Sequence, residues 1–306
     1  MAWHVLPPHK ISRKNGPREK PVRFHFSISV IQTMSQTLAD AAKQALLTVD
    51  PTEKAYLTID LARQWREGII TDVGATDLPD RPARPAKPET LPPNKMPKRS
   101  KGGLKGRIGL LHALAHIELN AIDLAWDIAV RFPDENMPRD FHDAWVQVAA
   151  DEAKHFLMLN KRLSELGATY GDLPAHDGLW QSSMETAYDL LARLAVVPMV
   201  FEARGLDATP PTVERLIANG DVESAEILKI IAAEEVAHVS AGRKYYEMMC
   251  DKRGLPYYTT WHALLRKHLR GPLKPPFNDE ARYDAGMPPD YYQDYVLELP
   301  GEGDDD

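Results

Sequence analysis

The chain has 306 residues, of which 43% are hydrophobic and 26% charged, and its net charge at pH 7 is −7. This length is enough to bury a large core, and the negative charge argues against a protein whose main task is to grip nucleic acid. Cys250 is the single cysteine, which excludes an internal disulfide and favours a reducing compartment. No apolar run approaches the ~20 residues of a membrane span, and the basic N-terminus lacks the apolar segment of a signal peptide, so we expect a cytoplasmic protein without a membrane partner.

The N-terminal part of the chain is predicted to lie outside the main bundle of helices. Residues 1–33 have no clear period and predict a loose arm, which makes Met34 a candidate for the natural start. Residues 34–103 predict a helical extension followed by a proline-rich segment. Apolar residues at helical spacing run from 35 to 67 and are interrupted at Asp50-Pro51, so we expect two helices there.

Seven prolines interrupt the segment 79–97. Proline lacks the amide proton and fixes φ, so this segment can be neither a helix nor a central strand. It is either a linker or an extended strap laid over the core. Between Arg81 and Arg107 nine basic residues accompany one acid, Glu89, which leaves a solvated strap and a phosphate-facing patch as the two interpretations.

The segment 104–252 predicts the core, and no alternating strand pattern competes with its helical period. Long helices are expected at 104–131, 139–166, 180–204 and 221–252, with a short one at 211–218. Pro198 lies inside the third long helix, where we expect a kink or local unwinding. Residues 253–306 predict a C-terminal extension with a short helix at 261–269 and an acidic tail. The predicted fold class is therefore all-α: a four-helix bundle with extensions at both ends.

Two copies of Glu-x-x-His suggest the chemistry of the core. They are Glu152-Ala-Lys-His155 in the second predicted helix and Glu235-Val-Ala-His238 in the fourth. Residues three apart share one face of a helix, so each pair directs a carboxylate and an imidazole at one point. One such pair is expected by chance in a chain of this composition, and the motif alone is a weak signal.

The arrangement of the motifs is more specific than the motifs themselves. A lone glutamate precedes each one, and the separations are 34 residues from Glu118 to Glu152 and 33 residues from Glu202 to Glu235. Each interval suits an antiparallel hairpin of two helices whose midpoints meet. The chain therefore repeats a lone glutamate and a Glu-x-x-His pair, as two similar hairpins would.

Two lone glutamates and two Glu-x-x-His pairs make up the ligand set of a dinuclear carboxylate site in a four-helix bundle. Four carboxylates converging in a core would be costly and would repel one another, and two divalent cations would remove both penalties. The alternative places Glu152 and Glu235 on solvent faces and the histidines in the core. We predict two iron ions, two manganese ions or one of each, held by Glu118, Glu152, His155, Glu202, Glu235 and His238.

Two further acids are predicted to support these ligands. Asp151 and Glu234 each lie one turn before a histidine of a motif. Metal-bound histidines usually donate their other N–H to a carboxylate, which these acids could supply across the bundle unless they are ordinary surface residues. His112 is a weaker candidate for an extra ligand. His116 lies off the face of Glu118 and is expected to be a hydrogen-bonded structural histidine.

Residues 104–250 resemble ferritin-like dinuclear carboxylate proteins. The segment Asp151-Glu-Ala-Lys-His155 is similar to the Asp/Glu-Glu-x-Arg-His motif of bacterial iron-dependent monooxygenases and ribonucleotide reductase small subunits, with Lys154 in place of the arginine. The chain from Met34 to about Gly286 resembles more specifically a bacterial ferritin-like family, domain of unknown function 455. The stretches that carry this resemblance are Ala115-His-Ile-Glu-Leu-Asn-Ala-Ile-Asp123, Tyr170-Gly-Asp-Leu-Pro-Ala-His-Asp-Gly-Leu-Trp180 and Phe201-Glu-Ala-Arg-Gly-Leu-Asp207.

The resemblance implies the fold and the metal site but no settled activity. By it, Glu152 and Glu235 would bridge the two metals, while Glu118 and Glu202 would be terminal ligands. The tRNA-hydroxylating diiron enzymes are similar in fold and ligand set only.

The leading functional hypothesis is an O2-activating diiron oxidoreductase, a hydroxylase or oxidase, acting on an unknown small molecule or RNA. Such an enzyme would call for an electron-donating reductase, and an oligomeric assembly stays open. The alternatives are a ferroxidase or iron-handling protein, a tRNA-modifying hydroxylase, and a metal-free helical interaction module. The proline-rich strap and the C-terminal extension favour the walls of a substrate pocket over iron storage.

Overall fold

A computed structural model describes residues 36–92, 95–97, 102–269 and 271–298, with side chains as far as Val296. Within these ranges the regular structure is helical, apart from one isolated bridge between Thr90 and Ala175. The all-α prediction is confirmed. The predicted loose arm at 1–33 and the last residues of the acidic tail lie outside the described residues.

Two short helices begin the described chain, α1 (Leu38–Leu47) and α2 (Pro51–Arg66). The side chain of Asp50 accepts a hydrogen bond from the backbone N–H of Thr52 at 2.9 Å. Pro51 occupies the first turn of α2, where its missing N–H has no intrahelical partner to lose. The predicted interruption at Asp50-Pro51 is therefore an N-terminal cap that separates two helices.

The proline-rich segment lies against the helices as an extended strap in its described part. The backbone N–H of Ala83 donates to the carbonyl of Leu46 at 2.8 Å. The indole N–H of Trp180 donates to the carbonyl of Asp80 at 3.0 Å. Backbone groups that lack a partner within the strap, such as the N–H of Ala83 and the carbonyl of Asp80, thus form hydrogen bonds with the helices instead.

The structure describes six of the nine basic residues in the segment 81–107, and three of these six pair with acids of the protein itself. The pairs are Arg81 with Asp177, Arg84 with Asp123, and Arg107 with Asp221. Arginines that are paired with acids of the protein are less available to bind phosphate. The remaining basic residues of this segment include three that lie outside the described residues: Lys98, Arg99 and Lys101.

The core helices follow in chain order, beginning with α3 (Gly103–Val130) and α4 (Arg139–Glu165), which pack on one another. The helices after them are α5 (Gly178–Glu185), α6 (Leu190–Val196), α7 (Ala203–Ala218), α8 (Val222–Arg253), α9 (Tyr257–His268), α10 (Asp279–Asp284) and α11 (Pro289–Glu298). Helix α8 packs on α6 and α7 and also on α4, which joins the two halves of the core.

The third long helix was predicted at 180–204, and both bounds are wrong. The chain turns after α5 and a new helix begins at Leu190. The side chain of Asp189 accepts a hydrogen bond from the backbone N–H of Leu191 at 3.1 Å, which caps the start of α6. Asp189 therefore marks the start of a new helix, which the helical period of the apolar residues around it did not indicate.

The same helical path continues to Ala218, so the predicted short helix at 211–218 is only the end of α7. Pro210 and Pro211 lie inside α7, where proline normally breaks a helix. The missing N–H of Pro210 frees the carbonyl of Leu206, and the side-chain amide of Asn278 donates to that carbonyl at 3.1 Å. A partner far along the chain therefore compensates for the proline.

Between α6 and α7 the segment Val197–Glu202 is π-helical, which is the local unwinding expected at Pro198. Gly242 of α8 allows this wide turn to pack closely, because a Cβ there would lie 2.4 Å from the Cβ of Pro198. On another side, the indole of Trp261 donates to the carbonyl of Ala195 at 3.0 Å. The π turn is thus held by two neighbouring helices, and it ends at a predicted metal ligand.

Helix α3 is, by length and composition, apolar enough to cross a membrane, contrary to the expectation that no such run exists. In its most apolar window, 67% of the residues are buried inside the protein. An apolar helix surrounded by other helices has the same composition as a membrane span. Its burial here marks α3 as a core helix.

Candidate metal centre

The structure brings the six predicted ligands together between the core helices. Glu118 extends from α3, Glu202 from the end of the π turn, and the two Glu-x-x-His pairs from α4 and α8. Burial is nearly complete at the centre of the group, where His155, Glu152 and His238 are 0%, 1% and 2% exposed. Residues distant in sequence are therefore grouped in the interior as the spacing predicted, while their role as metal ligands stays a prediction.

Their donor atoms form two overlapping groups. Within each group the atoms lie within 4.8 Å of one another, a separation that one cation can span. Glu235 belongs to both groups, which is the position a bridging carboxylate requires. The first group contains Glu118, Glu152, His155 and Glu235, and the second contains Glu202, Glu235 and His238.

Glu152 also lies beside a histidine of each group. One carboxylate oxygen lies 3.5 Å from Nδ1 of His155, and the other lies 3.0 Å from Nδ1 of His238. Both histidines thus present Nδ1 to the interior of the group. The two glutamates that the family resemblance assigns as bridges are the two that geometry shares between the halves.

Asp151 and Glu234 each lie beside the histidine of the opposite motif. An oxygen of Glu234 is 2.7 Å from Nε2 of His155, and an oxygen of Asp151 is 3.5 Å from Nε2 of His238. A carboxylate at Nε2 favours a proton there and leaves Nδ1 free for a metal. Asp151 of α4 thus lies beside the histidine of α8, and Glu234 of α8 lies beside the histidine of α4, as predicted for supporting residues.

Lys154 has a role that sequence reasoning missed. Its ammonium lies 2.5 Å from the second oxygen of Glu234 and 3.7 Å from Asp151. It therefore contacts both acids behind the histidines. The departure from arginine within the motif was visible in the sequence, but the partners of this side chain were not.

Burial and mutual repulsion act on the carboxylates of the centre. Burial, and then the charge of Glu152, raise the pKa of Glu118 well above its usual range. Burial, and then the charge of Glu235, do the same to the pKa of Glu202, and the pKa of Glu235 is raised by burial and by Glu152. Without a cation, these carboxylates retain protons that a metal would displace.

The histidines experience the opposite effect. Burial disfavours the charged form of His155, but the adjacent Glu118 and Glu152 raise its pKa to about 11. Burial likewise opposes the charge of His238, whose pKa is nevertheless raised well above its usual range by Asp151 and Glu152. The same imidazoles hold the pKa of Glu152 below its usual range although burial would raise it. The carboxylates of the centre thus favour positive charge on the groups between them.

Several buried donor atoms of the centre make no hydrogen bond with a described residue. Unpaired buried polar atoms are rare in proteins because each costs free energy, so a cluster of them calls for an explanation. Carboxylate oxygens and imidazole nitrogens suit iron and manganese, which fits the donors present. The cluster could therefore hold metal ions through these atoms: both oxygens of Glu152, Oε2 of Glu202, Oε2 of Glu235 and Nδ1 of His238.

The two histidines of α3, His112 and His116, face a neighbouring loop. Nε2 of His112 accepts a hydrogen bond from the backbone N–H of Gly171 at 2.9 Å, and His112 is not among the grouped donors of the centre. Nδ1 of His116 lies 2.8 Å from the hydroxyl of Tyr170, and its Nε2 lies 3.1 Å from the carbonyl of His176. His116 is hydrogen-bonded as predicted, and both histidines anchor the loop after α4.

Comparison with known proteins gives the family of the chain. Residues 47–293 match the family described as "Protein of unknown function (DUF455)". An uncharacterized protein of Haemophilus influenzae is 37% identical over 258 residues, which cover 79% of this chain and 88% of that protein. No solved structure matches the chain. The family match spans most of the described helices and the whole candidate centre, and the chain belongs to the DUF455 family.

Proposed function

We propose that this protein is a ferritin-like dinuclear-metal oxidoreductase that uses O2 to oxidise an organic substrate. The observation that carries the proposal is the convergence of carboxylate and imidazole atoms in two overlapping groups, where several buried donor atoms make no hydrogen bond to a described residue. Two iron ions, two manganese ions or one of each would neutralise these charges. Glu152 and Glu235 would bridge them, and Glu118, His155, Glu202 and His238 would complete the ligand set.

When bound at these residues, iron would supply the electrons that O2 chemistry requires. The protein contributes orientation and electrostatics. Glu234 keeps a proton on Nε2 of His155 and so directs Nδ1 at the centre, and Asp151 does the same for His238. Lys154 holds Glu234 in place at 2.5 Å.

Two features favour an oxidoreductase over an iron-storage protein with the same donors. Glu202 ends a π turn, and such turns are frequent at functional sites because they alter the helical register locally. A cavity of about 300 Å³ lies against the same turn, bounded by the C-terminal extension. A site that only oxidises iron does not require a cavity for an organic molecule beside the segment that carries one of its ligands.

The proposal extends to partners and location. An electron-donating reductase would restore the reduced metals, and we place the protein in the cytoplasm because it has a single buried cysteine. A tRNA substrate is the weaker alternative, since Arg81, Arg84 and Arg107 are engaged with acids of the protein itself.

Anaerobic loading with ferrous iron followed by exposure to O2 tests this function. We expect about two irons per chain and an O2 uptake that stops when both are oxidised, resuming only after a reductant is added. Optical and Mössbauer spectra would follow the oxidation. Continued iron uptake beyond this ratio, with assembly into a shell on size-exclusion chromatography, would instead identify a storage protein.

A further inference from the structure

A cavity of about 300 Å³ lies against the π turn. One wall comes from the π turn and the start of α7, and the other from Leu269 and residues 271–277 of the C-terminal extension. The apolar side chains that line it are Val200, Phe201, Leu269, Leu273 and Phe277. This volume is at the small end of the range for ligand pockets and suits a molecule the size of one substituted ring.

Four charged residues also line the cavity, and two of them neutralise one another. Arg282 donates to both carboxylate oxygens of Asp207, at 2.8 and 2.7 Å, and the two residues are only 2% and 5% exposed. This buried bidentate pair forms part of the wall. The two opposite charges cancel, so this pair adds no net charge to the cavity.

The other two charged residues leave a positive rim. The side chain of Arg204 is 47% exposed, and its Nη1 donates to the carbonyl of Lys274 at 2.7 Å and lies 3.4 Å from Oδ2 of Asp207. Its Nε and Nη2 make no hydrogen bond to another described residue. Lys274 is exposed, and no acid among the described residues pairs with its ammonium. Two cations beside an apolar cavity complement a molecule with an apolar body and an anionic end.

We propose that this cavity binds a small organic anion, with a ring-sized apolar body between Phe201 and Phe277 and a carboxylate or phosphate at Arg204 and Lys274. The wall residue Phe201 directly precedes Glu202, so an occupied cavity touches the segment that carries a predicted metal ligand. That this anion is the oxidised substrate rests on the proposed function, whereas its binding does not.

Ligand-observed ¹⁹F NMR with the metal-free full chain tests the binding. The probes are 4-fluorobenzoate, 4-fluorophenyl phosphate and the neutral 4-fluorobenzyl alcohol. We expect at least one anion to saturate a single site with a Kd of about 1 mM or tighter, and the neutral alcohol to bind about tenfold more weakly. The two anions distinguish a carboxylate substrate from a phosphorylated one.

Variants locate the site. Lys274→Gln should weaken the bound anion about tenfold, because the charge is lost while the backbone carbonyl that Arg204 contacts remains. Leu273→Trp should abolish binding by filling the cavity. Lys229→Gln, an exposed lysine of α8 paired with Glu226, is the matched control and should bind as the unchanged protein does.

The inference is overturned if neither anion saturates, if the alcohol binds as tightly as the anions, or if Lys274→Gln and Leu273→Trp leave the Kd unchanged. These outcomes say nothing against the metal centre, which iron content measures separately. Conversely, a chain that binds the anion but no iron would refute the proposed function and leave the cavity assignment standing.

Discussion

Replacing Glu152 with alanine is expected to lower bound iron from about two ions per chain to fewer than one. Its two oxygens approach Nδ1 of His155 and Nδ1 of His238, so its loss removes a donor from both halves of the centre at once. It also leaves Glu118 and Glu235 without the cation that offsets their burial. Metal analysis of protein loaded anaerobically and then desalted would measure the loss.

Two controls separate a ligand from a residue that only supports folding. Glu165→Ala removes a carboxylate from the same helix at a partly exposed position, 46% exposed, and should keep full iron content. Glu152→Gln keeps the shape of the side chain and should lose iron nearly as fully as alanine, since a neutral amide is a poor bridge. A Glu152→Ala protein that retains two irons would refute the ligand assignment.

Replacing Asp123 with asparagine is expected to destabilise the protein by about 3–5 kcal/mol, as removal of one partner from a buried ion pair usually does. Asp123 is fully buried, and its carboxylate lies 2.6 Å from the ammonium of Lys54, which is 1% exposed. It also pairs with Arg84 of the strap. The substitution strands a buried lysine and loosens the strap from α3.

Urea denaturation at neutral and alkaline pH would measure this effect. Burial outweighs Asp123 and lowers the pKa of Lys54 even in the unchanged protein. The charged lysine costs the folded state most below its lowered folded-state pKa, where both states hold the proton. This cost disappears as pH rises from the folded-state pKa to the unfolded-state pKa, because the folded chain releases its proton first. The deficit of Asp123→Asn should therefore shrink at alkaline pH. Asp134→Asn, at an exposed position, is the control, and equal stability of the two variants would contradict the account.

The sequence was sufficient for the grouping of the six donors because that grouping depends on local periodicity. In a helix, residues three apart share one face. In a hairpin of two antiparallel helices, the midpoints of the two helices lie side by side. Glu118 and Glu152 meet for this reason, as do Glu202 and Glu235. Burial then follows, since the apolar residues around each glutamate must face the core.

The sequence was insufficient where distant contacts decide. A separate short helix was predicted at 211–218, and the contact of Asn278, a residue of the C-terminal extension, explains how α7 instead continues through Pro210. One long helix was predicted at 180–204, and the chain instead turns after α5 and starts a new helix at the cap of Asp189. The cavity beside the π turn was likewise unpredictable, because its walls are far apart in the chain and meet only after folding.

The most direct test of the metal centre is an anaerobic titration of the metal-free protein with ferrous iron, followed by calorimetry and Mössbauer spectroscopy. Two overlapping groups of donors predict saturation at about two ions per chain, with both ions in oxygen- and nitrogen-rich environments. The absence of saturable binding, or identical binding by the Glu152→Ala protein, would contradict the claim that these six side chains form a dinuclear site.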